Sequence, residues 1–151
     1  MAIGTNDSVA KFGTQDTVTS SSSSVADASF SVSGDVTTWT NDDDAERASI
    51  VLECTFSVAP DEASIVNLYA RMMNIQSTND QDTPDANYQH MYLGFFPLND
   101  VTSAQYIPID VDLPLPKSST EIEYYIENLG GQTISAGWDL YVTPKTSGPH
   151  A

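Results

Sequence analysis

The sequence is poor in the residues on which most enzyme chemistry rests. Cys54 is the one cysteine among 151 residues, so no internal disulfide can form. It falls on the apolar side of a predicted strand, and no His or Asn is marked as its partner. It therefore reads as a small core residue rather than a nucleophile. Histidine is nearly as scarce, with only His90, in a predicted strand, and His150, next to last in the chain. A cupin-like metal site needs two or three histidines and a carboxylate converging, which this pair cannot supply. G-x-S-x-G, H-E-x-x-H and a glycine-rich phosphate loop are all missing.

Positive charge is the next shortage. Five Lys and Arg stand against 21 Asp and Glu, a net charge of -16. Such a surface repels phosphate backbones and anionic lipid, so nucleic acid and membrane are not expected partners. The partner should be neutral or basic. No apolar run approaches the roughly 20 residues of a membrane-spanning helix, and the opening MAIGTNDSVAKFGTQDT lacks the basic-then-apolar layout of a secretory signal. The expectation is a protein that stays in the cytoplasm where it is made, or leaves it by assembly or lysis.

What the sequence does contain is alternation. In residues 120–143, Ile122, Tyr124 and Ile126 alternate with Glu121, Glu123, Tyr125 and Glu127; farther on, Ile134, Ala136, Trp138, Leu140 and Val142 alternate with small or polar residues. Two strands are predicted. Joined as a hairpin, they would pair Asn128 with Gln132 around Leu129-Gly130-Gly131, with Gly131 left-handed, Tyr124 against Ala136 and Ile122 against Trp138. The alternative is a chain that crosses between two sheets at this point.

The cleanest strand runs from Ala48 through Ile50, Leu52, Cys54 and Phe56 to Val58, a period of two. Earlier, Ala26, Ala28, Phe30 and Val32 are expected on one face, followed by a short strand ending in Trp39. Residues 64–75 also suit a helix, but a strand with Val66, Leu68, Ala70 and Met72 inward agrees better with all-β neighbours. Residues 76–87 read as a long loop, and residues 88–98 as an aromatic-rich strand in which Gly94 marks a bulge or a close approach. Residues 105–116 carry Ile107, Ile109, Val111, Leu113 and Leu115 inward and Pro108, Asp110, Asp112, Pro114 and Pro116 outward, which belongs on a sheet edge. About eight strands without a long helix predict a single-domain antiparallel β-sandwich, most economically a jelly roll, over residues 25–146. Residues 1–24, ending in a Ser tract, read as a flexible N-terminal arm that anchors on a neighbour through Ile3, Val9 and Phe12; residues 147–151 read as a C-terminal tail.

Carboxylate pairs such as Glu121 with Glu123 and Asp110 with Asp112 lie on outward strand faces and read as solvated edges, not as a glycosidase acid and base. No catalytic residue and no cofactor site is predicted. Two Asp-rich loops offer weak calcium candidates, Asp42 and Asp44 in the first and Asp80, Asp82 and Asp85 in the second, without EF-hand spacing. Trp39, Tyr69, Tyr88, Tyr92, Tyr106, Tyr125 and Tyr141 suit core and interface positions or stacking on sugars. The alternation puts Tyr125 and Tyr141 outside, among Glu and Thr, as candidate partner contacts.

The segments NLYARMMNIQSTNDQDTPDANYQHMYLG and YIENLGGQTISAGWDLYVTPKTSGPHA resemble small virion proteins of tailed bacteriophages. The resemblance implies a structural part with a β-sandwich or β-tulip core: a head decoration (cement) or minor capsid protein, less so a tail component. It further implies binding to the major capsid protein and to copies of itself, commonly as a homotrimer, in a virion assembled in the host cytoplasm. A calcium-dependent glycan-binding module is the alternative from another class.

Overall fold

A computed structural model describes residues 8–20, 23–73, 81–89, 91–113 and 120–149. The strands are β1 (Ser8–Phe12), β2 (Asp16–Ser20), β3 (Ser29–Phe30), β4 (Trp39–Asn41), β5 (Arg47–Cys54), β6 (Ile65–Met72), β7 (Tyr92–Pro97), β8 (Gln105–Asp112), β9 (Thr120–Leu129) and β10 (Asp139–Pro149). Among the described residues the one helical piece is a 3-10 turn at Ser33–Asp35.

Alternation explains why these segments are strands. Along β5, Ala48, Ile50, Leu52 and Cys54 are buried, while Ser49, Val51 and Glu53 face partly outward. Each buried Ile or Leu contributes about 2 kcal/mol by leaving water. In β6, Val66, Leu68 and Ala70 are buried, so residues 65–72 form a strand rather than a helix. Burial pushes the Cys54 thiol up to about 12, with Glu53 adding to the shift, so this sulfur is inert packing.

All pairings are antiparallel and they nest. β1 and β2 pair with successive parts of β10, and β3 and β4 with successive parts of β9, so each couple fills one sheet position. β5 pairs with β8, and β6 with β7. Successive pairs fall alternately in the two sheets, ordered β1/β2-β10-β5-β8 and β3/β4-β9-β6-β7. That is the strand order of a jelly roll, an antiparallel ribbon wrapped into two facing sheets. Its core lies between them, around Trp138, Tyr124, Phe96, Ile50, Leu52 and Leu68. The eight expected strands are β3 to β10, and two more, β1 and β2, come from residues 8–20.

The hairpin does not form. β9 and β10 lie in opposite sheets, and the chain crosses between them over residues 130–138. Two strands that each have one apolar face can meet face to face across a core as well as side by side, and here they do the former. Buried Asn128 fixes the crossing: its Nδ2 donates to the Val25 carbonyl (2.9 Å) and the Gln132 carbonyl (2.7 Å), and its Oδ1 accepts from the Gly130 amide (2.9 Å). Gly131 is left-handed as expected (φ 71°), but within this crossing.

Further expectations change. Residues 8–20, expected in a flexible arm, are strands of the sandwich; Val18 is in the core, and Asp16 accepts from the Trp39 indole N–H at 3.0 Å. The expected tail is strand as far as Pro149, because β1 covers that end of β10. Ala26, Ala28 and Val32 are exposed, whereas Val25 and Ser31 are buried. The short β3 has no long pleat to enforce alternation beyond its two residues. Val58 and Ala136, expected on apolar faces, are exposed, since β5 ends at Cys54 and residues 130–138 form the crossing, and β7 begins at Tyr92 rather than at residue 88. β8 is an edge strand, and β7 meets β6 with a register shift at Leu68/Tyr69, where Gly94 and Tyr92 are the partners.

Candidate docking surface

A sandwich has two outer faces, and here they differ in kind. On the sheet carrying β5, β8 and β10, polar groups are consumed among themselves. Glu53 accepts hydroxyl hydrogens from Tyr106 (2.8 Å) and Tyr141 (2.7 Å). Lys145 donates to Asp110 at 2.5 Å with its Nζ 5.3 Å from the Phe12 ring centre, and Arg47 pairs with Asp112 at 3.1 Å. The lysine hydrogen bond holds the Asp110 carboxyl below its ordinary range, while the hydrogen bonds to Glu53 push the Tyr106 and Tyr141 hydroxyls up.

The outer face of β6, β7 and β9 begins in the same way and ends differently. Arg71 and Glu123 pair at 3.0 Å, and the Tyr125 hydroxyl donates to the same carboxylate oxygen at 2.8 Å. One strand row away, the Tyr69 hydroxyl and the Asn67 amide both donate to Glu127 Oε2 at 2.9 Å. Burial, seconded by these carboxylates, raises the Tyr69 and Tyr125 hydroxyls to about 12. Beyond this network the face becomes apolar. Register places Tyr92 beside Tyr69, Phe95 beside Asn67, and both Pro97 and Leu129 beside Ile65. Tyr92 and Phe95 are each about half exposed, at 50% and 49%. Their strand, Tyr-Leu-Gly-Phe-Phe-Pro, holds no charged residue.

The predicted contact residues are scattered by comparison. Tyr125 is fully buried, with its hydroxyl donating to Glu123; it points away from the core, but its side of the sheet is covered. Tyr141 is half-buried, with its hydroxyl bonded to Glu53 and Asp139 (3.3 Å). Phe12 is exposed beneath Lys145, Val9 lies on β1, and Ile3 lies outside the described residues. Glu123, read from sequence as a solvated edge, is instead 14% exposed and ion-paired.

The calcium candidates do not converge. Asp42 and Asp44 are exposed on the turn after β4, whose geometry comes from Asn41: its side chain both donates to and accepts from the Ala45 backbone. Asp82 is exposed. Asp85 Oδ1 accepts from the Asn87 and Tyr88 amides, closing a local turn. Asp80 lies outside the described residues. Among the described residues, no three acidic, His or Cys side chains come together as a metal site.

The surface that sequence reasoning missed was signalled by Phe95-Phe96. In a strand, adjacent residues face opposite ways, so one of the two rings had to point out. Phe96 took the core. No protein-family profile matches the chain, and no curated protein sequence matches it.

Proposed function

We propose that this chain is a non-enzymatic structural protein of a phage virion, a head decoration or minor capsid protein that docks on the assembled shell and on its own copies. The observation that carries the reading is the uncharged aromatic strip of Tyr92, Phe95 and Pro97 on a molecule of net charge -16. Exposed apolar patches bounded by polar surface mark contact sites. The jelly roll, a frequent capsid architecture, supports the same reading, as does the likeness of the two quoted segments to phage virion proteins. Ionisable groups on both outer faces are engaged in ion pairs and tyrosine hydrogen bonds, an arrangement suited to a rigid part rather than to proton transfer.

The test uses phage heads that lack the protein. Purified protein added back should be retained on the heads and raise their resistance to heat or chelators. Heads that are equally stable without it, and that fail to take it up, contradict the proposal. Retention on isolated tails instead would move the protein to the tail.

A further inference from the structure

We infer that the occupant of this strip is a basic segment of a partner protein, its apolar residues lying over Tyr92, Phe95 and Pro97 and an Arg or Lys side chain reaching Glu127. This names the chemistry of the shell partner and rests on the docking reading given above.

The strip is offered as a face and not as a strand edge. β8 packs along the free side of β7, where a Cβ built on Gly94 would lie 3.5 Å from Ile109 Cδ1. On the outer face, register puts Glu127 in one cross-strand row with Phe30, Asn67 and Phe95, and Tyr69 and Tyr92 in the next. Glu127 is therefore a partly buried carboxylate framed by aromatic rings. Its hydrogen bonds come from neutral donors, the Asn67 amide and the Tyr69 hydroxyl, and no base pairs with it among the described residues.

Charge then selects the occupant. Of the five bases, Lys11, Arg47 and Lys145 lie on β1, β5 and β10 of the other sheet, Lys117 lies outside the described residues, and Arg71 is taken by Glu123. Carboxylates border the strip instead: Asp61 and Glu62 are exposed just before β6, and Asp100 just after β7. A second copy would bring a further net charge of -16 to this face, whereas a basic segment brings the cation that is missing. An apolar partner alone would cover Glu127 without a countercharge, and an uncompensated buried carboxylate is strongly unfavourable. Arginine fits best, because its planar guanidinium stacks on a ring such as Phe95 and gives a carboxylate two N–H groups at once.

Fluorescence anisotropy tests this on the full chain, with labelled, capped peptides that alternate Leu with Arg, Gln or Glu. The Leu-Arg peptide should bind about tenfold or more tightly than Leu-Gln, and Leu-Glu should not bind. Glu127→Gln, Phe95→Ser and Tyr92→Ser should each weaken Leu-Arg binding by about tenfold or more. Glu53→Gln should leave it unchanged: Glu53 also accepts from two hydroxyls, but on the opposite sheet, so this variant separates a site from general attraction to an acidic surface. Circular dichroism confirms folding, and the two ring variants guard against one that fails to fold. No binding of Leu-Arg, Leu-Gln bound as tightly, or equal losses in Glu127→Gln and Glu53→Gln would overturn the inference. Head uptake is scored separately: heads that retain wild type and Glu127→Gln alike sink only the basic partner, and a protein that binds Leu-Arg but is ignored by heads sinks only the shell reading.

Discussion

Tyr69 holds Tyr92 edge-on, ring centres 5.5 Å apart and planes at 65°. The first ring is buried and the second half exposed, so the hydrogen-bonded part of the sheet face positions the part left open. Tyr69 is fixed in turn by Glu127 and by Phe30, whose ring centre lies 5.4 Å away.

Tyr69 and Tyr125, among the raised tyrosines, predict an alkaline limit to stability. An unfolded tyrosine ionises near 10, whereas folded Tyr69 and Tyr125 hold their protons to about 12. The folded state thus favours the neutral form. This contribution is complete below pH 10 and is lost as pH rises from there through about 12. Thermal melts over that range should show a falling midpoint, and the Tyr69→Phe variant should show a shallower fall. An unchanged slope in the variant would contradict the assignment.

Tyr124 offers a test of opposite sign. Its hydroxyl is buried in the core with no hydrogen-bond partner among the described residues, and desolvation raises it far above its ordinary value. Tyr124→Phe removes an unsatisfied polar group while keeping the ring that packs 6.2 Å from Trp39. Stability to urea should hold or rise by about 1 kcal/mol. A loss of that size would reveal a partner for the hydroxyl.

Asn128 should be among the least replaceable polar residues. Asn128→Ala removes the bonds to the Val25 and Gln132 carbonyls and from the Gly130 amide at the sheet crossing, the Val25 carbonyl keeping only the Ile134 amide. At about 1 kcal/mol for each lost bond, the cost is about 3 kcal/mol, read as a lower urea midpoint with an unchanged slope. A cost below about 1 kcal/mol would mean that the crossing is held by packing of Ile134 and Trp138 instead.

Much of the fold was legible because apolar period is a local property. Ala48 to Cys54 and Val66 to Ala70 announce their buried faces without reference to any neighbour. Strand pairing is not local. Nothing in residues 120–143 distinguishes a hairpin from a crossing, since Asn128 reads as a turn residue until Val25, 103 positions away, supplies its partner. The N-terminal strands were hidden for a related reason. Asp16-Thr-Val-Thr-Ser has one apolar residue, Val18, and its place depends on backbone offered by β10. The docking surface was half legible: Phe95-Phe96 required an outward ring, but only the register against β6 brings Phe95 and Tyr92 onto one strip. Tyr125 shows the converse, an outward residue that the folded sheet nevertheless buries.

The most direct measurement is hydroxyl-radical footprinting of the protein free in solution and within assembled particles, with Tyr92, Phe95 and Tyr106 compared in each state. Docking through β7 predicts that Tyr92 and Phe95 lose most of their labelling on assembly, while Tyr106, on the opposite sheet, keeps its own. Equal labelling of Tyr92 and Phe95 in both states, or protection confined to Tyr106, would contradict it.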